Sequence, residues 1–106
     1  MTICIIVEGR SDKLHVEALL AEQAIIVCTN GTISEDALIQ LVVPYEHLDF
    51  ITLFDADKNG EKLRKLMKRC YSDATQLKIP EQYIEVATTP APILKQLLKQ
   101  ANVLVK

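Results

Sequence analysis

Three acidic residues stand directly after apolar segments, where their carboxylates could bind a cation. Glu8 follows the segment 3–7. Asp55 and Asp57 follow the segment 50–54. If these segments are neighbouring parallel strands, the carboxylates meet at the sheet edge where ligands bind. Alternation along an extended chain points Asp55 and Asp57 to the same side, roughly 6 to 7 Å apart at about 3.3 Å per residue. The spacing therefore predicts one site shared by all three residues.

The types of these residues indicate which cation would bind. Three carboxylates at one edge repel one another, and a cation between them removes that repulsion. Neither acidic motif contains histidine or cysteine. All-oxygen ligation suits Mg²⁺, with Mn²⁺ as a second candidate, rather than zinc. Asp55 and Asp57 alone would also fit a polar turn that caps a helix, so the pair by itself leaves both interpretations open.

Four strands are predicted to position these residues. Three segments rich in β-branched residues indicate strands buried on both faces: Ile3 to Val7, Ile25 to Cys28 and Phe50 to Phe54. For the fourth strand, Thr75 to Ile79 and Tyr83 to Ala87 both qualify, and we prefer the earlier segment.

Helical spacing of apolar residues, together with capping residues, predicts four helices. The first starts at Ser11 or Asp12 and extends to about Gln23. The second starts at Ser34 and ends near Pro44. The third helix is indicated by an apolar stripe at helical spacing, Leu63, Leu66, Met67 and Cys70. The fourth is indicated by Pro92, which suits a first helical turn. Val103 to Val105 is a candidate short edge strand.

The alternation of strands and helices predicts a single domain over residues 1–106. Its fold class is α/β, with a doubly wound, mostly parallel four-stranded sheet flanked by helices. A strand order of 2-1-3-4 would make strands one and three neighbours, as the shared acidic edge requires. The apolar residues Ile93, Leu97 and Val103 fit either the core or a homo-oligomer interface.

Composition narrows the class of protein. The sequence has no apolar run of about 18 residues and no signal-peptide pattern at its start, so we expect a cytoplasmic protein without membrane contact. Cys4, Cys28 and Cys70 are odd in number and lie in apolar surroundings, which is typical of reduced core thiols. His15 and His47 fit surface or packing positions better than catalytic ones.

Charge is unevenly distributed, although the formal net charge is only −2. The segment from Lys58 to Arg69 carries six basic residues and one acidic residue, Glu61, so its charge is +5 and that of the remainder is −7. A basic helix is usually a solvated surface. Beside an acidic site, it could also follow the phosphates of a nucleic acid.

Two motifs resemble those of the Toprim family, which includes topoisomerases, bacterial primases, overcoming-lysogenization-type nucleases, recombination mediators and small ribosomal-RNA maturases. The first is Val7-Glu8-Gly9-Arg10-Ser11-Asp12. The second, similar to the family's DxDxxG, is Asp55-Ala56-Asp57-Lys58-Asn59-Gly60-Glu61-Lys62-Leu63-Arg64. The extension Gly60-Glu61-Lys62-Leu63-Arg64, together with the turn 29–32, is most similar to maturases and small stand-alone Toprim proteins. The resemblance covers nearly the whole chain and includes the Toprim fold.

The resemblance implies roles for the acidic residues. Asp55 and Asp57 would hold Mg²⁺, and Glu8 would act as general acid or base in phosphoryl transfer or as a further metal ligand. Asp12 matches a family position, although helix capping alone would explain it. The implied partner is nucleic acid, either RNA or DNA.

Neighbouring residues could contact phosphate. Gly9 and Gly60 would leave room for the backbone to approach a phosphate group. Arg10 and Lys13 could also touch phosphate, and the sequence does not decide between that role and simple solvent exposure.

Departures from the family limit the activity that can be expected. None of Tyr45, Tyr71 and Tyr83 is placed to serve as a topoisomerase nucleophile, and the chain ends soon after the core, so a protein partner would supply substrate specificity. Two functions stay open: a Mg²⁺-dependent nuclease or related phosphotransferase, and a non-catalytic nucleic-acid or protein binding module with a retained metal site. A phosphoacceptor receiver domain fits less well, because Glu8 stands alone after strand one and Lys106 does not follow a last strand into a loop.

Overall fold

The structure, a computed structural model, describes residues 2–106. In this part of the chain, four strands alternate with four α-helices. Their bounds are β1 Ile3–Val7, α1 Arg10–Leu19, β2 Ile25–Cys28, α2 Glu35–Val42, β3 Asp49–Phe54, α3 Lys58–Cys70, β4 Thr75–Lys78 and α4 Ala91–Gln100. Two 3₁₀ turns, Val43–Tyr45 and Glu81–Tyr83, precede β3 and α4 respectively.

The four strands form one parallel sheet in the order β2-β1-β3-β4, which confirms the predicted fold class and strand order. In the register of this sheet, Val7 at the end of β1 pairs with Cys28 of β2 and with Leu53 of β3. The carboxyl ends of β1 and β3 therefore lie side by side. The residues that follow these two strands begin at the same edge of the sheet.

Each face of the sheet is covered by two helices. Ile5 and Val7 face one core layer, which they share with buried side chains of α1 and α4. Cys4 and Ile6 face the other layer, which contains buried side chains of α2 and α3. Because successive side chains of a strand point to opposite faces, a continuous apolar strand such as β1 serves both layers.

Local signals located both ends of α2 and the start of α4. Ser34 caps α2 by accepting a hydrogen bond from the Ala37 amide through Oγ at 3.1 Å. Pro44 lies in the 3₁₀ turn that ends this helical segment. Pro92 lies in the first turn of α4, as predicted. The third helix begins at Lys58, earlier than the predicted loop through Gly60 allows.

The end of α1 and the carboxyl-terminal strand were predicted incorrectly. α1 ends at Leu19 instead of Gln23, because Leu20 is extended and forms an isolated antiparallel bridge with Val105. The Ala21 amide donates to the Leu104 carbonyl at 3.0 Å. Val103 to Val105 therefore forms this single bridge and no edge strand, while Val103 itself is buried in the core.

The preferred fourth strand is confirmed, and its alternative, 83–87, is an irregular segment. Ile84 has φ 61° and ψ −55°, close to the γ-turn conformation. The Glu85 amide donates to the Tyr83 carbonyl across this turn at 2.5 Å. A β-branched residue is strained at such a φ, so a regular strand cannot pass through this point.

Cys4, Cys28 and Cys70 form no disulfide within the described residues, and Cys28 and Cys70 are half-buried residues packed against the core. Cys4 is fully buried, and burial raises the pKa of its thiol to about 11. No helix among residues 2–106 is both long enough and apolar enough to span a membrane.

Candidate metal site

Glu8 and Asp55 meet at the shared end of β1 and β3. Glu8 is buried, with 9% of its surface exposed. Its Oε2 accepts a hydrogen bond from the Asp55 amide at 2.6 Å. This bond fixes the carboxylate of Glu8 beside the residue that begins the second acidic motif. The meeting of these two residues follows directly from the strand order.

Asp55 is held through both its main chain and its side chain. Its Oδ1 accepts a hydrogen bond from the Val86 amide at 2.8 Å. Its main-chain carbonyl accepts one from Arg64 Nη1 at 3.0 Å. Together with the amide bond to Glu8, these contacts leave Oδ2 as the oxygen of Asp55 without a hydrogen-bond partner among the described residues.

Asp12 has a structural position beside this pair. It is the third residue of α1, and Gly9, rather than Ser11 or Asp12, is the N-cap. Asp12 Oδ2 accepts from the Gly9 amide at 3.0 Å, and Oδ1 accepts from the Ala87 amide at 3.0 Å. Because both oxygens are engaged, Asp12 ties the start of α1 to the segment 83–89.

Asp57 lies at the end of the loop between β3 and α3. It is exposed and caps α3, with Oδ1 accepting from the Gly60 amide at 2.8 Å. Because β3 ends at Phe54, Asp55 and Asp57 both lie beyond the strand, in the loop before α3, where strand alternation no longer sets the directions of their side chains. Asp57 lines a cavity of about 250 Å³ that Asp55 does not line.

Glu8, Asp12 and Asp55 line a cavity of about 410 Å³. Its other lining residues are Gly9, Arg10, Ser11, Asn30, Gly31, Glu85 and Ala87. Within residues 2–106, no three carboxylate, thiol or imidazole side chains are arranged closely enough to hold one ion as they stand. The structure thus brings Glu8 and Asp55 together and places Asp57 at a different cavity.

Burial and mutual repulsion both act on these carboxyl groups. Burial raises the pKa of Glu8, and the nearby charges of Asp55, Asp57 and Asp12 raise it further, against the lowering effect of the hydrogen bond from the Asp55 amide. Burial likewise raises the pKa of Asp12 and of Asp55. Protons are therefore held more tightly here than on ordinary surface carboxyls.

The carboxylate oxygens that accept no hydrogen bond suit a hard divalent cation. Glu8, Asp55 and Asp57 each have one carboxylate oxygen without a hydrogen-bond partner among the described residues. The buried side-chain atom without a partner in that part of the chain is Thr29 Oγ1, so the free carboxylate oxygens reach the surface. The ion pairs within residues 2–106, between Arg64 and Glu61 and between Arg69 and Glu35, involve none of these three carboxylates. Uncompensated carboxylate oxygens at a cavity are a donor set that fits Mg²⁺ or Mn²⁺.

The two glycines of the motifs differ in their surroundings. A Cβ at Gly60 would lie 1.8 Å from the Asp55 carbonyl oxygen, so this glycine lets α3 pack against the acidic loop. A Cβ at Gly9 would meet only Asp12 Oδ2, at 3.8 Å. Space for a phosphate group beside the backbone was expected at both glycines. That space is open at Gly9, whereas at Gly60 it is filled by the protein itself.

Sequence reasoning missed the segment 83–89, which covers one side of the site. The amides of Val86 and Ala87 donate to Asp55 and Asp12, and Glu85 lines the cavity. His15 Nε2 is hydrogen-bonded to the Thr89 carbonyl at 2.7 Å, so this histidine has a packing role. These contacts are made mostly by main-chain groups, which leave no signal in the residue types.

The basic residues of α3 fall into two groups. Lys58, Lys62, Lys65 and Lys68 are exposed and have no ion pair within the described chain; we call them the lysine face. The two arginines of the helix, Arg64 and Arg69, pair instead with acidic residues.

Comparison with known proteins identifies the family. A model of the Toprim domain matches residues 3–89, and this chain belongs to the Toprim family. Domains of this family are metal-binding modules of nucleic-acid-related proteins and generally bind Mg²⁺.

Two relatives are similar over most of the chain. A solved structure described as a small TOPRIM domain protein from Bacillus stearothermophilus has a TM-score of 0.93 and 47% sequence identity, and the match covers 98% of this chain and 88% of that chain. The uncharacterized protein YusF of Bacillus subtilis (strain 168) is 44% identical over 97 residues. That match covers 92% of this chain and 66% of the relative, so the chain spans slightly less than two thirds of YusF.

Proposed function

We propose that the chain is a Mg²⁺-dependent Toprim domain that acts on nucleic-acid phosphodiesters, as a nuclease or in related phosphoryl transfer. In this proposal Asp55 and Asp57 are metal ligands, and Glu8 is a general acid or base or a further ligand. The observation that supports it most is the contact between Glu8 and Asp55, two buried or half-buried carboxylates with raised pKa values and no basic partner among the described residues.

A bound Mg²⁺ would polarise a phosphoryl oxygen and screen the negative charge of the substrate. Glu8 suits proton transfer because its raised pKa lies nearer neutral pH than that of an exposed glutamate. The Asp55 amide orients one oxygen of Glu8, which leaves the other free to hold a proton at the cavity. Asp57 offers its free oxygen from the amino-terminal end of α3.

The lysine face supports nucleic acid as the substrate. Lys58 begins α3 directly after Asp57, so the positive side chains start at the acidic loop and continue along one helix. An arrangement of this kind can bind the phosphates that flank a reacting phosphodiester. We propose RNA or DNA as the ligand, with Arg10 and Lys13 as further candidates for phosphate contact.

Other parts of the proposal concern the setting of the protein. We propose that a protein partner or a second copy of the chain contributes to substrate binding. Three free thiols are consistent with the reducing cytoplasm, where we place the protein.

A non-catalytic binding module with a retained metal site is the second candidate. This candidate is favoured because the same carboxylates also make structural hydrogen bonds: Asp57 caps α3, and Asp55 binds the Val86 amide of the segment 83–89. Acidic residues can be retained for such contacts without any turnover.

A cleavage assay distinguishes the two candidates. Metal-free protein is incubated with structured RNA or single-stranded DNA, with and without Mg²⁺ or Mn²⁺, and the wild type is compared with Glu8→Gln, Asp55→Asn and Asp57→Asn. Glu22→Gln, an exposed acidic residue outside the site, is the control for loss of one negative charge.

Metal-dependent cleavage that all three site variants lose and Glu22→Gln retains would support the enzyme. Metal binding that depends on Asp55 and Asp57 without cleavage of either substrate would support the binding module. Cleavage that continues unchanged without metal, or in the Asp55 and Asp57 variants, would contradict the proposal.

A further inference from the structure

Arg64 directs its guanidinium toward the acidic loop and away from solvent. Its side chain is 12% exposed, whereas that of Arg69 on the same helix is 67% exposed. Nη1 donates to the Asp55 carbonyl at 3.0 Å and also reaches the Phe54 carbonyl at 3.5 Å. An arginine that is largely withdrawn from solvent and bound to main-chain oxygens contributes to the position of that main chain.

The carbonyl of Asp55 lies at a point where the sheet no longer provides a partner. The pairing of β3 with β4 extends to Phe54 and Lys78 and stops there. Gly60 packs against the same carbonyl but offers it no side chain. A half-buried carbonyl without a hydrogen bond is unfavourable, so Arg64 stabilises the conformation in which the loop leaves the sheet.

Glu61 holds the guanidinium in this position. Arg64 Nε and Nη2 donate to Glu61 Oε2 at 3.3 Å and 3.1 Å. The two residues are three apart on α3, where side chains are neighbours. A planar guanidinium can donate to a carboxylate and to a carbonyl at the same time, which a lysine ammonium does with less directional control.

We infer that Arg64 is a positioning residue for the metal site: it fixes the main-chain carbonyl of Asp55, the residue whose amide is bound by Glu8. Glu8 binds the amide of Asp55 and Arg64 binds its carbonyl, so the residue is held between strand β1 and helix α3. The Asp55 carboxylate is thereby aimed before any cation arrives. This inference rests on the proposed Mg²⁺ site, and it adds Arg64 to the residues that determine its affinity.

The test measures the affinity for Mn²⁺, as a probe for Mg²⁺, by calorimetry in the absence of nucleic acid. Arg64→Met retains the apolar stem and removes the donors, and Arg64→Lys retains the charge. We expect Arg64→Met to weaken Mn²⁺ binding by about tenfold or more, as is usual when a residue that orients a metal ligand is lost. Arg64→Lys is expected to lie between Arg64→Met and the wild type.

Two control variants show whether a change in Mn²⁺ affinity comes from lost positioning of Asp55, from lost positive charge or from lost stability. Arg69→Met removes the same charge from the same helix at a residue paired with Glu35, and it should leave Mn²⁺ affinity unchanged. Gln76→Ala removes a side chain that donates to the main-chain carbonyl of Arg64 at 3.0 Å but does not touch its guanidinium. It should lower the melting temperature while Mn²⁺ affinity stays near that of the wild type.

Equal Mn²⁺ affinity of the wild type and Arg64→Met would overturn the inference. If Arg64→Met also bound nucleic acid more weakly, Arg64 would be a phosphate contact instead. If circular dichroism showed that Arg64→Met does not fold, Arg64→Lys would decide, and unchanged affinity there would overturn the inference. A wild type that binds no Mn²⁺ would refute the proposed metal site itself, a result distinct from equal binding by wild type and variant.

Discussion

At the scale of single residues, Glu8 combines burial with negative charge. Folding removes its carboxylate from water and places it near three other carboxylates, and within residues 2–106 only the hydrogen bond from the Asp55 amide compensates. A buried charge with incomplete compensation destabilises the fold, and residues are retained in such positions chiefly where function needs them.

Glu8→Gln should therefore raise the melting temperature of the metal-free protein at neutral pH. The amide oxygen of glutamine can still accept from Asp55, while the repulsion disappears. With Mg²⁺ present, the wild type should have the higher melting temperature, because a ligand at 100 times its dissociation constant stabilises the protein that binds it by about 2.7 kcal/mol. Thermal unfolding with and without Mg²⁺ measures both effects; a variant less stable than the metal-free wild type would contradict this account.

The difference in stability between Glu8→Gln and the metal-free wild type should depend on pH in a defined direction. The pKa of Glu8 is raised above its ordinary value of 4.5, so the folded state holds the proton more tightly than the unfolded state. The stability that results is fully present below pH 4.5 and is lost as pH rises through the raised pKa. The advantage of Glu8→Gln over the metal-free wild type should thus be small near pH 4 and grow toward pH 7 in melting curves.

Gly60 should be intolerant of any side chain. A methyl group there would overlap the Asp55 carbonyl, so Gly60→Ala is expected to lower the unfolding free energy by more than about 2 kcal/mol and to disturb metal binding. Gly9→Ala is the matched control, with open space and extended backbone at φ −142°. Its effect should stay within about 1 kcal/mol, the usual range for a change at an N-cap. Chemical denaturation of both variants tests this contrast.

Sequence patterns identified the acidic residues but only part of their geometry. The contact of Glu8 with Asp55 was predictable, because both follow neighbouring parallel strands. The placement of Asp55 and Asp57 at different cavities was not, since it depends on where β3 ends and α3 begins. The contact between Arg64 and the Asp55 carbonyl involves a main-chain group, which has no signature in sequence.

At the scale of elements, buried parallel strands carried the strongest signal. Short, largely apolar runs predicted β1, β2 and β3 to within one residue. The end of α1 was missed because a tertiary contact, the bridge of Leu20 with Val105, overrides the helical pattern. The segment 83–87 resembles a strand in composition, but its conformation is set by amides that bind Asp55 and Asp12.

Because of the turn at Ile84, a variant with glycine at this position should be more stable than one with alanine. In ordinary positions glycine is less stable than alanine, because it loses more conformational freedom on folding. At φ 61° the strain of a Cβ reverses this preference, so we expect Ile84→Gly to be more stable than Ile84→Ala by about 1 kcal/mol. Ile84 is 54% exposed, so loss of packing is similar in the two variants. Equal stability in urea unfolding would show that this turn is not strained.

At the scale of the whole molecule, a net charge of −2 conceals a division between an acidic cavity and the lysine face. If the lysine face binds phosphates, affinity for nucleic acid should fall steeply with added salt. Lys62→Gln should reduce the slope of log affinity against log salt by about 0.7 to 0.9, the contribution of one phosphate contact. Lys99→Gln on α4 removes an equal charge elsewhere and should leave the slope unchanged. Equal slopes for both variants, measured by fluorescence anisotropy, would argue against the lysine face.

The most direct test of the central claim, a Mg²⁺ site formed by Glu8, Asp55 and Asp57, is to locate the ion. Crystals soaked in Mn²⁺ would be examined by anomalous scattering, with Asp55→Asn crystals treated identically. The account predicts a peak in contact with Asp55 and Asp57, near the free oxygen of Glu8, that is lost in the variant. A peak away from these residues, or no peak in wild-type crystals at saturating Mn²⁺, would contradict it.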